Sequence, residues 1–138
     1  MNRSSLVVRS IWAACLLVGA ANHARTLLRH GLFWDYGGVG WASSAYWTSL
    51  TLLDAVAAAL LFIRPRAGII VTVLIIVTNV IHNLAVTARF APEGEFLIRA
   101  SHPFIVSQVG FMLFVAATAR IAWKGSESGR RAPTVQVR

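Results

Sequence analysis

Four apolar segments occupy most of this chain, and each is long enough, or nearly so, to cross a bilayer as a helix. The hydrocarbon core is about 30 Å thick, which a helix of roughly 20 residues spans. The sequence therefore predicts an all-α integral membrane protein, an up-down bundle of four helices. The predicted spans are residues 6–24, 45–63, 67–88 and 103–123.

Composition excludes an ordinary soluble core. Of the 138 residues, 57% are hydrophobic and 13% are charged. Soluble domains hold about 45–50% apolar and about 25% charged residues. A single cysteine, Cys15, lies inside the first span, so no intramolecular disulfide can form and the side chain is expected to serve packing.

The net charge of +8 would suggest nucleic-acid binding in a soluble protein, but here the basic residues flank apolar spans. Nine of the thirteen lie on one side of the predicted membrane. By the positive-inside rule, this asymmetry predicts a multipass protein of the cell inner membrane with both termini cytoplasmic, and no nucleic-acid partner. The nine are Arg3, Arg9, Arg64, Arg66, Arg120, Lys124, Arg130, Arg131 and Arg138.

The first span allows two interpretations. Arg3 and Arg9 precede a short apolar run at residues 11–21, and the small residues 18–20 offer a signal-peptidase site. Alternatively, Arg9 extends towards the cytoplasmic face and the helix continues uncleaved to Gly31. We favour the uncleaved helix; cleavage would leave three spans without changing the orientation of the rest.

Features outside the spans fit this topology. Trp34, Tyr36 and Trp41 are expected at one membrane interface, and Trp12 and Trp123 at the other. Membrane lipids are thus the expected surroundings. The sequence from residue 125 to residue 138 is polar and without periodicity, which predicts a disordered cytoplasmic tail.

The most informative polar residue is Asp54, near the middle of the second span. An ionised carboxylate at this depth costs roughly 2.5–3.5 kcal/mol on insertion scales, so it should face other helices and not lipid. Asn79, His82 and Asn83 share one face of the third span, at i, i+3 and i+4. A candidate ligand-binding site in the outer half of the bundle follows from their common depth: Asp54, Asn79, His82, Asn83, Gln108, Trp47 and His23.

Three functional hypotheses follow from this cluster. The favoured one is a polar pocket that binds a small or lipidic molecule or relays a proton, with Asp54 and His82 as candidate catalytic residues sharing one proton. The second is a non-catalytic accessory or immunity-type protein that contacts another membrane protein. Any transport role would require a homo-oligomer, because four helices are too few to line a wide aqueous path. A plain structural role, as interhelical hydrogen bonds of about 0.6 kcal/mol each, competes with both.

The third hypothesis is a redox protein that uses the histidines. His23, His30, His82 and His102 all lie on the outer side. Their spacing matches no metal or haem motif, and we therefore expect no metal and no cofactor. No nucleophile elbow, phosphate-binding loop or dinucleotide fingerprint is present either, which leaves open whether the chain is an enzyme.

Residues 46–54, followed by the basic turn at residues 64–66, form the most distinctive local pattern. Four short helices with an early polar outer loop and a tight basic inner turn resemble the arrangement of small bacterial inner-membrane families, including DoxX-like and EXPERA-like bundles. The resemblance is one of topology, and it assigns no functional residue.

Overall fold

The computed structural model describes residues 3–127, and this part of the chain is helical apart from its connections. Four helices within it are long and apolar enough to cross a membrane, as the sequence predicts. A fifth, short helix lies in the second long connection. The helices are α1 (Arg3–His30), α2 (Trp41–Ile63), α3 (Pro65–Phe90), α4 (Phe96–Ala100) and α5 (Pro103–Glu127).

The four long helices form an antiparallel bundle. A single residue, Arg64, separates α2 from α3, and Pro65 suits the first turn of α3 because proline there gives up an N–H that has no helical partner. Each long helix packs against its neighbours in sequence, and α1 closes the ring against α5. We call the end with Arg64, the start of α1 and the end of α5 the hairpin end, and the end with residues 31–40 and 91–102 the loop end.

Most helices extend beyond the predicted spans. α1 continues through His30, and Gly31, with φ 87°, ends the helix. α5 continues to Glu127, so residues 125–127 are helical and not part of a disordered tail. The rest of the predicted tail, residues 128–138, lies outside the described residues.

Trp12 does not lie at an interface as the sequence suggested. It is completely buried, and its indole Nε1 donates a hydrogen bond to Thr118 Oγ1 at 3.1 Å. The rotation of α1 about its axis explains this difference, because it points the Trp12 ring towards α5. Composition and depth along the helix do not reveal that rotation. Phe33 and Trp41 are 94% and 84% exposed at the loop end, where aromatic side chains can contact lipid headgroups.

Arg9 also departs from expectation, because its side chain is only 2% exposed and does not extend to the surface. Its Nη1 donates to Leu61 O at 2.7 Å, and its Nε donates to Ser5 O at 3.3 Å. The last carbonyls of a helix lack intrahelical partners and carry partial negative charge. The antiparallel arrangement brings Arg9 beside the carboxyl end of α2, which supplies such an acceptor.

The hairpin end is the tightly packed half of the bundle. A methyl group at Gly68 of α3 would lie 2.6 Å from the Cα of Leu61 on α2, so the two backbones touch. Trp12, Leu61 and Val115 fill the space between the helices and are at most 1% exposed. Glycine at residue 68 therefore allows the close contact between α2 and α3 next to their short connection.

Candidate functional site

A cavity of about 450 Å³ opens in the loop-end half of the bundle. This volume falls within the range of about 300–1,000 Å³ that is typical of small-molecule sites. All four long helices contribute to its walls, and most of the lining residues are apolar. Its polar lining is Asn22, His23, Asp54, Asn79, Ser107 and Gln108.

Asp54 is the acidic residue of this cavity. Its side chain is 5% exposed, and among residues 3–127 it has no hydrogen-bond or ion-pair partner. Gly19 of α1 makes room for the carboxyl group, because a methyl group there would lie 2.8 Å from Asp54 Oδ2. A buried carboxyl group without a partner is costly, so its unfilled hydrogen-bonding capacity points into the cavity.

A chain of side-chain amides connects α2, α3 and α5 behind the cavity. Trp47 Nε1 donates to Asn83 Oδ1 at 2.8 Å. Asn83 Nδ2 in turn donates to Asn79 Oδ1 at 3.1 Å and to Gln108 Oε1 at 2.6 Å. Asn79 and Gln108 line the cavity, whereas Trp47 and Asn83 do not and instead hold those two amides in position.

His82 lies elsewhere. Its ring packs against Tyr46 and Trp47, with centroid distances of 4.6 and 5.3 Å, and it does not line the cavity that contains Asp54. Its Nε2 is buried without a hydrogen-bond partner in the described part of the chain. Although the depth of His82 matches that of the cluster, its direction on α3 separates it from the Asp54 carboxyl, and the structure does not place the two side chains in one site.

The four histidines occupy four separate surroundings. His23 lines the cavity and is 7% exposed, whereas His30 stacks on Trp34 at 4.0 Å. His102 accepts a hydrogen bond from the Phe104 N–H through Nδ1. Within residues 3–127, no three His, Cys, Asp or Glu side chains are grouped so that they could hold a metal ion.

The cavity reaches the bundle surface between α1 and α5. These helices are joined near the hairpin end, where Ser5 Oγ donates to Ala122 O at 3.0 Å and Trp12 donates to Thr118. Towards the loop end, the lining residues Val18 and Phe104 are 70% and 43% exposed. The opening therefore faces sideways, at a depth where the surroundings of a membrane-spanning bundle are lipid.

Sequence reasoning missed the residues that shape this site, namely Gly19 and the rim residues Cys15, Val18, Phe104 and Phe111. Polarity and depth identify Asp54, Asn79 and Gln108, but apolar rim residues look like any lipid-facing residue. The one available signal was Gly19, a glycine inside a helix, which often marks a close approach of a neighbouring group.

Comparison with protein-family models, with curated proteins and with solved structures gives no match to this chain. The site geometry alone therefore supports the functional argument that follows.

Proposed function

We propose that this chain is a multipass inner-membrane protein whose cavity binds a small or lipidic molecule, with Asp54, Asn79 and Gln108 as its principal polar contacts. The observation that carries the proposal is the Asp54 carboxyl, 5% exposed and without a partner among residues 3–127, on the wall of a cavity of about 450 Å³. Such a group is stabilised when a bound molecule supplies the missing hydrogen bond.

The proposed orientation places both termini and Arg64 in the cytoplasm. The hairpin end carries most of the basic residues, while the loop end carries Asp35, Glu93 and Glu95. Cytoplasmic loops are enriched in lysine and arginine, which supports this direction. The cavity then lies in the outer half of the membrane.

Transfer of a proton across the whole bilayer has less support than binding. Between Asp54 and the hairpin end the core contains the fully buried side chains of Trp12 and Leu61. His82, the proposed proton partner, lies outside the cavity. A proton relay needs a connected row of polar groups or waters on both sides of Asp54. On the hairpin side, the polar side chains of Ser5, Arg9 and Trp12 are engaged in hydrogen bonds with neighbouring groups at that end of the bundle.

Native mass spectrometry of the full chain, released from membranes in a mild detergent, tests the proposal. We expect the intact chain, including α1, to retain a small molecule, because Gly19 and His23 of α1 form part of the cavity wall. A chain that is empty but bound to another protein in fixed stoichiometry would contradict ligand binding and favour the accessory hypothesis. A mass lacking residues 1–20 would contradict the uncleaved first helix.

A further inference from the structure

The direction of the amide chain is set by Trp47. An indole N–H can only donate, so the Asn83 atom that faces Trp47 Nε1 at 2.8 Å must be the oxygen. Asn83 Nδ2 then points to Asn79 and Gln108, which must present their oxygens to it. The order of donors and acceptors along this chain of hydrogen bonds therefore fixes which atom is oxygen and which is nitrogen in all three side-chain amides.

The cavity therefore presents donors as well as an acceptor. The oxygens of Asn79 and Gln108 accept from Asn83, and their amide nitrogens have no hydrogen-bond partner in the part of the chain that the structure describes. Both residues line the cavity together with Asp54. A polar group bound here meets amide N–H donors on α3 and α5 and a carboxyl oxygen on α2.

We propose that the cavity takes an uncharged amphiphile whose polar end is a hydroxyl group. This deepens the proposed function and rests on it. A hydroxyl group has one donor and two acceptor lone pairs. It can donate to a carboxyl oxygen of Asp54 and accept from the amides of Asn79 and Gln108, which gives each of these three side chains one hydrogen bond to the ligand.

Other polar ends fit this lining less well. An ammonium group can pair with the Asp54 carboxyl group, but it has donors only, so the amide N–H groups of Asn79 and Gln108 would face it without an acceptor. A carboxylate has acceptors only and would place a second acidic group beside Asp54, where like charges repel. A hydroxyl group complements both kinds of lining group with a single small polar atom.

The sideways opening determines the rest of the ligand. Val18 and Phe104 at the rim are apolar, and their exposed surfaces lie between the loop-end halves of α1 and α5. An alkyl tail that passes through this opening stays in contact with apolar side chains and with lipid, while the hydroxyl end reaches Asp54. The ligand thus enters from the bilayer and not from water.

The test uses the full chain in lipid nanodiscs and a long-chain alcohol that carries a photoreactive diazirine along its tail. We expect photolabelling of the rim, at Cys15, Val18, Phe104 or Phe111. Excess dodecanol should reduce the labelling about tenfold. Dodecylamine and dodecanoic acid at equal concentration should reduce it only about twofold, since each loses at least one hydrogen bond and binds about tenfold more weakly. Gln108→Leu should weaken labelling by about tenfold for the same reason.

Gly110→Ala is the matched control on α5, since a methyl group there meets nothing within 4 Å, and it should label as the wild type does.

Competition by dodecylamine or dodecanoic acid equal to that of dodecanol would overturn the hydroxyl assignment while leaving ligand binding intact. Labelling confined to the loops would overturn entry between α1 and α5. If no probe labels the chain and native mass spectra show it empty, the proposed function itself fails. The competition series uses the wild type and stands even if Gln108→Leu does not fold.

Discussion

Gly68→Ala is expected to remove about 3 kcal/mol or more from the free energy of unfolding, enough to prevent purification of a folded chain. The added methyl group would lie within 2.6 Å of the α2 backbone at Leu61. Backbone atoms cannot rotate away as a flexible side chain can, so α2 and α3 would have to separate. The measurement is the unfolding midpoint in one detergent, together with the monodisperse fraction in size-exclusion chromatography.

Gly110→Ala makes the same chemical change in a helix where a methyl group meets open space. Alanine favours a helix over glycine by about 1 kcal/mol, so this variant should be as stable as the wild type or slightly more stable. Equal stability of the Gly68 and Gly110 variants would show that α2 and α3 do not pack as closely as described.

Replacement of Asp54 is expected to separate stability from binding. Asp54→Leu removes a carboxyl group that has no partner among residues 3–127, so it should raise the unfolding free energy by up to about 2.5 kcal/mol. The same variant should retain the bound molecule about tenfold to a hundredfold less well, because a hydrogen bond to the carboxyl is lost. Thermal unfolding and native mass spectrometry measure the two effects.

Asp54→Asn is the matched variant, because it keeps the shape next to Gly19 and changes only the hydrogen-bonding groups. The asparagine oxygen can still accept a hydrogen bond from a ligand, so this variant should insert and purify normally and bind more strongly than Asp54→Leu. If Asp54 served only to join helices, Asp54→Leu would be less stable than the wild type. That result, or full binding by Asp54→Leu, would contradict a functional role for the side chain at residue 54.

Much of the architecture follows from the sequence because the bilayer imposes it. Length and apolarity predict the long helices, and the single residue between α2 and α3 predicts their antiparallel contact. α4 was not predicted, since a helix of five residues leaves no periodic pattern. Arg9 was expected near the surface because its position near the end of one helix predicts a side chain that extends towards water. Its actual acceptor, Leu61 O, belongs to another helix, and the sequence of α1 does not reveal it.

The candidate site was predicted in part for a similar reason. Depth along a helix can be counted at about 1.5 Å per residue, which groups Asp54, Asn79 and Gln108 correctly. The direction of a side chain around its helix depends on how the helices are rotated against one another. His82 shares the depth of the cluster but faces Tyr46 and Trp47, and only the packed bundle reveals this.

Disulfide trapping of residue 54 against residue 19 tests most directly whether Asp54 faces the bundle interior. A Cβ at residue 19 would lie 3.7 Å from Asp54 Cγ, the position that a cysteine sulfur would approximately occupy. In a Cys15→Ala background, the pair Gly19→Cys and Asp54→Cys should form a disulfide rapidly under oxidation. Neither cysteine should then react with a maleimide mass tag. The pair Gly19→Cys and Leu52→Cys, with residue 52 exposed at 68%, should keep both thiols. If the pair at residues 19 and 52 forms a disulfide and the pair at residues 19 and 54 does not, residue 54 faces lipid. That result would contradict the assignment of Asp54 to the cavity wall.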